Sequence, residues 1–373
     1  MKKAHTAAAL LLAVVMCLTL ALAAGGDAGD PLLSLSHLEG IFARSIDASA
    51  DSRMNAADAD VRSAAEKRLD AMEANLRATS GQSFSGTAQE ITLKEGDVLT
   101  GATGLSVIPL AGEVRLTLTD GAVVDVTAGS EAASGQTLAL RHRYLAAENA
   151  LASFTVTSPT AVLSYEGGYD LARSDGNPDY YAIARALREL DLFRGTGSAI
   201  GEGFDLHLAP SRGEGLVMFI RILGEEQDAL ACSYTHPFTD VPMWLDRYVA
   251  WAYHQGYANG VAPTLFGSAQ TISAVEYQEF LLRALGYSVA GVHDYATSLE
   301  RALDCGALTN GEFELLRSGT FLRAHVAYVS YYSLDMVLSG SQQTLAARLE
   351  GAGLLTSAQL EAAKAGVDSL RLF

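Results

Sequence analysis

The sequence predicts a multidomain protein of α and β structure: N-terminal helices, a small all-β sandwich or barrel, and an all-α bundle of repeats. Three observations support this order. Residues 31–80 are rich in helix formers, residues 84–168 alternate in short runs between glycine turns, and a two-helix pattern recurs over residues 179–340. A chain of 373 residues is also too long for one small core, so two or three domains are expected.

The first 23 residues have the features of a secretory signal peptide. Met1–Lys3 is basic, residues 7–22 are apolar, and Ala21–Ala23 is a small-residue cleavage pattern. The apolar run is close to the lower limit for a membrane span, so an uncleaved anchor is the less favoured alternative. No later stretch is apolar enough to cross a bilayer. We therefore expect an exported mature chain without a stable membrane span.

The net charge and the cysteine content of the sequence limit the kinds of binding partner and of covalent cross-link to expect. The formal net charge of -17 disfavours nucleic acid and anionic lipid. Beyond the signal peptide the cysteines are Cys232 and Cys305. They could pair, but two cysteines do not make a disulfide scaffold, and free buried thiols are the favoured interpretation.

Residues 31–80 are predicted to form one or two helices. A narrow, alanine-rich apolar stripe recurs there at helical spacing, at Val61, Ala65, Leu69, Met72 and Leu76. We expect this stripe to pack on the rest of the chain. A coiled-coil partner helix is the less favoured alternative, because the pattern is not sustained over enough heptads.

Residues 84–168 are predicted to form the all-β domain. Its alternating runs lie at residues 90–93, 106–108, 113–119, 122–127, 136–144, 153–157 and 161–165. Asp120-Gly121 between two runs predicts a hairpin. Arg141–Arg143 is expected on a solvent-facing strand, and Gly167-Gly168 followed by residues 173–178 is expected to form a linker.

The clearest helical unit runs from His236 to Gly286. It opens with Phe238–Pro242, continues as a helix from about Met243 to about Gln255, and turns at Gly256 and Gly260. Ser273 then caps a second helix, with Glu276 at the spacing of a capping box.

Two further copies of this unit flank it. Residues 211–224 align without a gap on residues 273–286, and the loop at residues 192–195 parallels residues 257–260. Downstream, Arg323 begins a helix that lacks the cap. The three copies cover about 179–224, 237–286 and 293–338, and residues 341–373 are predicted to be C-terminal capping helices, with Ser357 as a helix N-cap.

The unit resembles the S-layer homology (SLH) family, whose repeats begin F-x-D-V-x-x-W, pass through a G-x-x-x-G loop and end in a T-R-A-E-like cap. The resemblance implies a pseudo-trimeric bundle whose grooves hold an anionic secondary cell-wall polysaccharide linked to peptidoglycan. It further implies a protein of a Gram-positive-type cell surface, anchored non-covalently to the wall.

Carried over by position, the polysaccharide-binding candidates are Arg212, Glu214, Asp240, Trp244, Gly260, Glu276 and Arg323. An arginine at a helix N-terminus suits a carboxylate ligand, because its planar fork adds to free backbone N–H groups. Each candidate also has a structural interpretation. The two glutamates suit capping boxes, Asp240 suits a turn or cap, and Trp244 and Trp251 suit a core.

No catalytic residue, metal or cofactor is predicted. The sequence contains no H-E-x-x-H, G-x-S-x-G or Cys-x-x-Cys motif, and its carboxylates are spread over helix surfaces. A polysaccharide-processing enzyme would need carboxylates clustered in one cleft. The principal alternative to wall anchoring is an interaction protein of the cell surface, in which the bundle is a scaffold and the β-domain binds a protein partner.

Overall fold

The computed structural model describes residues 40, 42–78, 83–288, 295–368 and 371–373. The predicted signal peptide, residues 1–23, lies outside this part of the chain. Two units are distinguished, Met1–Glu73 and Ala74–Phe373. The layout is broadly the predicted one, with an N-terminal helix, an antiparallel sheet and a C-terminal helical region.

The N-terminal segment forms one long helix, α1, from Ala43 to Ala78, which confirms the predicted helical structure. The apolar stripe, however, is not buried where its side chains are described. Val61 is 68% exposed and Leu69 is 64% exposed. Neither side chain is therefore buried within the unit Met1–Glu73, and the packing of the stripe on the rest of the chain stays a prediction. Among the described residues, no helix combines the length and apolar character that a membrane crossing requires.

Nine antiparallel strands form a curled half-barrel over residues 83–172. They are β1 (Ser83–Lys94), β2 (Val98–Ala102), β3 (Ser106–Ala111), β4 (Val114–Asp120), β5 (Val123–Asp125), β6 (Ser130–Ala132), β7 (Tyr144–Ala146), β8 (Leu151–Val156) and β9 (Thr160–Ala172). The order is β4-β8-β2-β9-β3-β7-β5-β6, and β1 also pairs with β9. Every second residue of β8 is buried, so one face of the sheet holds the core.

Two local predictions for the sheet are corrected. Asp120-Gly121 is a turn, with Gly121 at φ 66°, but no hairpin joins its flanking strands. Strand β4 pairs with β8, whereas β5 pairs with β6 and β7. A Cβ at Gly121 would lie 2.6 Å from the backbone of Ala150, so packing against a distant segment decides the route of the chain.

The region predicted as a strand over residues 136–144 is mostly loop. Arg141 has φ 64°, which is incompatible with an extended strand. His142 therefore does not lie on a solvated strand face, and its Nδ1 is 2.8 Å from Asp125 Oδ2. The guanidinium group of Arg143 donates hydrogen bonds to the Ser106 hydroxyl and to the Glu166 carboxylate. Two of the three residues in this basic cluster, His142 and Arg143, are thus paired with polar side chains of the sheet, and Arg141 is exposed.

The predicted linker is not a free connection. Strand β9 continues through Gly167-Gly168 to Ala172. The next residues are held by Asp97, a fully buried carboxylate that accepts hydrogen bonds from Arg173, from the Ser174 N–H and from Lys94. Burial raises the pKa of Asp97, but these bonds outweigh it and the pKa is lowered overall.

The helical region contains α2 (Tyr180–Glu189), α3 (Arg212–Ile222), α4 (Glu226–Ala231), α5 (Asp246–His254), α6 (Ala274–Ala284), α7 (Ser298–Asp304), α8 (Asn310–Arg317), α9 (Arg323–Ser333), α10 (Leu345–Gly351) and α11 (Ser357–Ala365). Helix α5 is shorter than the predicted helix over residues 243–255. The N-cap of α11 is Thr356 and not Ser357. Cys232 and Cys305 are free and half-buried.

Helices α3, α6 and α9 come from the three predicted copies, and each has 11 residues. They meet in the core. The rings of Phe219 on α3 and Phe280 on α6 are 5.5 Å apart between centroids. Tyr277 Oη on α6 lies 2.7 Å from Ser330 Oγ on α9, and α9 also contacts α3. The three helices therefore pack around a shared centre.

The N-terminal caps of α3 and α6 are the ones that the sequence predicts. Both Ser211 with Glu214 and Ser273 with Glu276 form capping boxes, as their spacing indicates. At α9, where the cap is lost, the Leu322 N–H donates to Nδ1 of His325 at 3.1 Å. A neutral imidazole thus replaces the glutamate. Burial lowers the pKa of His325 to about 4.

We expect His325 to make the fold acid-sensitive. The unfolded chain takes up a proton at this residue near pH 6.5 and the folded chain only near pH 4, so the free energy of unfolding falls as pH falls between these values, by ~3 kcal/mol at most. His325→Gln keeps the acceptor without titrating. Denaturant unfolding of both proteins from pH 7 to pH 4 tests this. An equal loss of stability in the two would contradict it.

Candidate binding groove

Arginines at the first residue of α3 and of α9 join neighbouring copies. Arg212 Nη2 donates to the Asn259 carbonyl at 2.9 Å, and Arg323 Nη2 donates to the Arg194 carbonyl at 3.3 Å. Asn259 and Arg194 occupy matching positions in the two loops that the sequence alignment pairs. We call the interface between two copies a seam. The same arginine–carbonyl contact thus occurs at two seams, one between copies one and two and one between copies three and one.

The glycine after each of these acceptors is required by close backbone packing. A Cβ on Gly195 would lie 2.3 Å from the Gly203 carbonyl oxygen, and one on Gly260 would lie 2.4 Å from the Leu265 carbonyl oxygen. Gly260, a predicted binding residue, therefore shapes its loop.

Arg212 lies inside the protein, and Glu276 is half-buried beside it. Arg212 is 1% exposed, and its Nη1 is 2.6 Å from Glu276 Oε1. Its guanidinium also lies over the rings of Phe266 and Phe280. Because Glu276 Oε2 accepts from the Ser273 N–H at 2.8 Å, this carboxylate both caps α6 and pairs with Arg212. We assign the two residues to holding copies one and two together.

Asp240 has the role of a turn residue. Its Oδ1 accepts from the Phe266 N–H and its Oδ2 from the Gly267 N–H, each at 2.7 Å. Burial raises the pKa of Asp240, but these hydrogen bonds outweigh that effect and lower it overall. The carboxylate thus stays ionised while it fixes the loop before α6.

The other three candidates come together in one groove of about 320 Å³, which we call the arginine groove. Its lining is Arg194, Gly195, Thr196, Glu214, Val217, Met218, Arg221, Trp244 and Arg323. Glu214, Trp244 and Arg323 were predicted from the sequence. Arg194 and Arg221 were not, because no pattern in the sequence links a loop arginine to a helix arginine.

A buried carboxylate positions two of the three arginines. Glu226 Oε2 is 3.1 Å from Arg194 Nη1, and its Oε1 is 2.7 Å from Arg221 Nε. Tyr248 Oη donates to the same Oε1 at 2.8 Å. With these contacts, two guanidinium groups on different elements are held at one groove.

Arg323 differs from the other two arginines. Within the part of the chain that the structure describes, it has no ion pair, and its Nε donates to the Phe204 carbonyl at 2.9 Å. Burial lowers the pKa of Arg323, and the charge of Glu214 opposes this shift. The Glu214 carboxylate itself accepts from Ser211. A buried cation bonded to neutral carbonyls is the group in the groove best placed to gain from an anionic ligand.

Trp244 is 58% exposed, contrary to the expectation of a core role. Trp251 is half-buried, and its indole N–H donates to Glu225 at 3.0 Å. An indole face at the rim of the groove is available to stack on an apolar face of a ligand ring.

The groove therefore combines guanidinium donors, backbone next to glycine and an indole, which is a set suited to binding an anionic ring compound. Models of known protein families and curated proteins contain no match to this chain. Within the described residues, no group of three His, Cys, Asp or Glu side chains is arranged to hold a metal ion. The chemistry of the groove is thus the basis for assigning its role.

Replacing Arg212 tests its internal role. Arg212→Ala removes a buried cation and leaves the Glu276 carboxylate without its partner, so we expect a loss of about 3–5 kcal/mol in the free energy of unfolding. Arg115→Gln, at an exposed arginine of β4, is the control and should change it by less than about 0.5 kcal/mol. Urea denaturation measures both. A loss below about 1 kcal/mol for Arg212→Ala would show that the pair does not hold the copies together.

Proposed function

We propose that this protein is anchored non-covalently to the cell wall, and that the arginine groove binds an anionic secondary cell-wall polysaccharide. The observation that carries the proposal is the meeting of Arg194, Arg221 and Arg323 with an exposed Trp244 in one groove. The SLH-like order of the repeats and the packing of α3, α6 and α9 around one centre support the same role. The protein is then exported and displayed on the cell surface.

Charge-assisted hydrogen bonds would supply the selectivity for an acidic sugar. Guanidinium groups present paired N–H donors that match the two oxygens of a carboxylate. The groove also brings Gly195 next to these donors, so a sugar hydroxyl can approach the backbone. The Trp244 indole covers an apolar sugar face, as aromatic rings do at many interfaces.

An interaction role for the half-barrel is a second candidate, and one surface favours it. A groove of about 400 Å³ crosses the sheet beside the Arg143–Glu166 ion pair. Phe84, Val126 and Leu145 line it, and Phe84 is 77% exposed. Exposed apolar side chains around an ion pair are typical of a protein-binding surface. In this alternative the helical repeats serve as a scaffold.

Wall binding distinguishes the two roles. We expect the full chain to sediment with purified walls that retain their secondary polymer and not with walls stripped of it. Trp244→Ala should weaken binding about tenfold, equivalent to ~1.4 kcal/mol, because it removes the stacking surface. Arg194→Gln should weaken binding at low salt and have a smaller effect at raised salt, where the charge that it removes is already screened.

Met243→Ala is the matched control, because Met243 is adjacent to Trp244, 95% exposed and absent from the groove lining. Its binding should equal that of the unmodified protein. Equal sedimentation with stripped and intact walls would overturn the proposal. Unchanged affinity in both groove variants would favour the interaction role.

A further inference from the structure

The N-termini of α3 and α9 share a second feature, which concerns their backbone. At α3, the Arg212 N–H donates to the Gln270 carbonyl at 2.6 Å and the Gly213 N–H donates to the Ser268 carbonyl at 3.0 Å. These acceptors are two residues apart in the segment that leads into α6. An extended stretch of one copy therefore satisfies the first two N–H groups of a helix in another copy.

The same arrangement occurs at α9. The Arg323 N–H donates to the Leu208 carbonyl at 2.8 Å, and the Ala324 N–H donates to the Leu206 carbonyl at 3.1 Å. The acceptors are again two residues apart, in the segment that leads into α3. At two of the three seams, therefore, the first two N–H groups of a helix donate to main-chain carbonyls two residues apart in a neighbouring copy.

The third seam is open. At α6 the equivalent residues are Ala274 and Val275, and their N–H groups donate to no acceptor within the described residues. The equivalent segment, which leads into α9, lies on the far side of a cleft of about 730 Å³. Both Ala274 and Val275 line this cleft, together with residues 316–321.

Two side-chain differences accompany the open seam. Ala274 stands where the other helices have an arginine, so no side chain fills the gap between the copies. Gln278 lies one helical turn beyond Ala274 on the same face, is 3% exposed, and its Oε1 has no hydrogen-bond partner within the described residues. Because this oxygen is enclosed and Gln278 is not among the residues that line the cleft, it is a polar difference inside the copy and not a contact for a ligand.

The cleft favours a peptide over an acidic sugar. Leu299, Phe313 and Leu316 give it apolar walls. The Glu300 side chain is at its rim, and Arg317 Nε is already 2.7 Å from Glu314 Oε2. The cation in the lining of this cleft is thus already paired, whereas the arginine groove contains Arg323, which has no ion pair within the described residues. A large aliphatic side chain would instead be buried against the apolar walls.

We propose that this third seam binds an extended peptide segment of a partner protein. Carbonyls of the segment two residues apart accept the N–H groups of Ala274 and Val275, as residues 206–208 and 268–270 accept those of α9 and α3. A bulky apolar side chain of the segment occupies the space that the arginine takes elsewhere. This is main-chain recognition of the strand-addition type, applied to the end of a helix.

The probe is a labelled synthetic peptide with the sequence of residues 204–210, which fills the equivalent seam at α9. We expect saturable binding to the full chain by fluorescence anisotropy. Ala274→Pro removes one donor and suits the helix, because Ser273 has φ -94° and ψ 162°, a conformation accepted before proline. It should weaken binding at least tenfold. Ala274→Arg, which refills the gap, should do the same.

Ser357→Pro is the matched control, since Ser357 is the first residue of α11 and follows Thr356 at φ -116° and ψ 156°. Its affinity should equal that of the unmodified chain, and circular dichroism checks that each variant is folded. Failure of the unmodified chain to bind the peptide at millimolar concentration would overturn the proposal. So would unchanged affinity in whichever of the two Ala274 variants is folded. Binding of glucuronate that the peptide does not displace would overturn it in favour of an anion site.

Discussion

The helical region depends on one interaction between its copies, in which the first turn of one helix is completed by a loop of another copy. Helix N-termini leave N–H groups without partners inside the helix. Here the N–H groups of Arg212 and Arg323 are satisfied by main chain, and both arginine side chains continue into the neighbouring copy. Neither copy can form this contact alone, so the contact holds copy one to copy two and copy three to copy one.

This contact also explains how the arginine groove is placed. The loop at residues 194–196 is held by Arg323, and Glu226 draws Arg194 and Arg221 together. The cost of burying the Glu226 carboxylate is offset by two cations and a tyrosine hydroxyl. Charged groups that would otherwise stay mobile are therefore fixed before any ligand arrives, which reduces the entropy lost on binding.

Local patterns predicted the features that depend on a few adjacent residues. The capping boxes at Ser211 and Ser273 are set by a four-residue spacing and were predicted correctly, as was the turn role of Asp240. The route after Gly121 was predicted wrongly, because it depends on packing against Ala150. Trp244 fits an apolar helical pattern but lies before α5 begins, where it points to solvent. The roles of Arg194 and Arg221 could not be predicted, because they meet only through the buried Glu226.

Asp97 fastens the half-barrel to the chain that enters α2, and Glu90 of β1 adds a second tie by accepting the Gly201 N–H at 2.8 Å. Segments that join domains are commonly flexible, but Arg173 and Ser174, the first residues of this one, are hydrogen-bonded to Asp97 of the sheet. The connection between the sheet and the helices is therefore short and held at its start. Tension applied to the sheet would reach the helical copies directly, without first being spent on straightening a hinge.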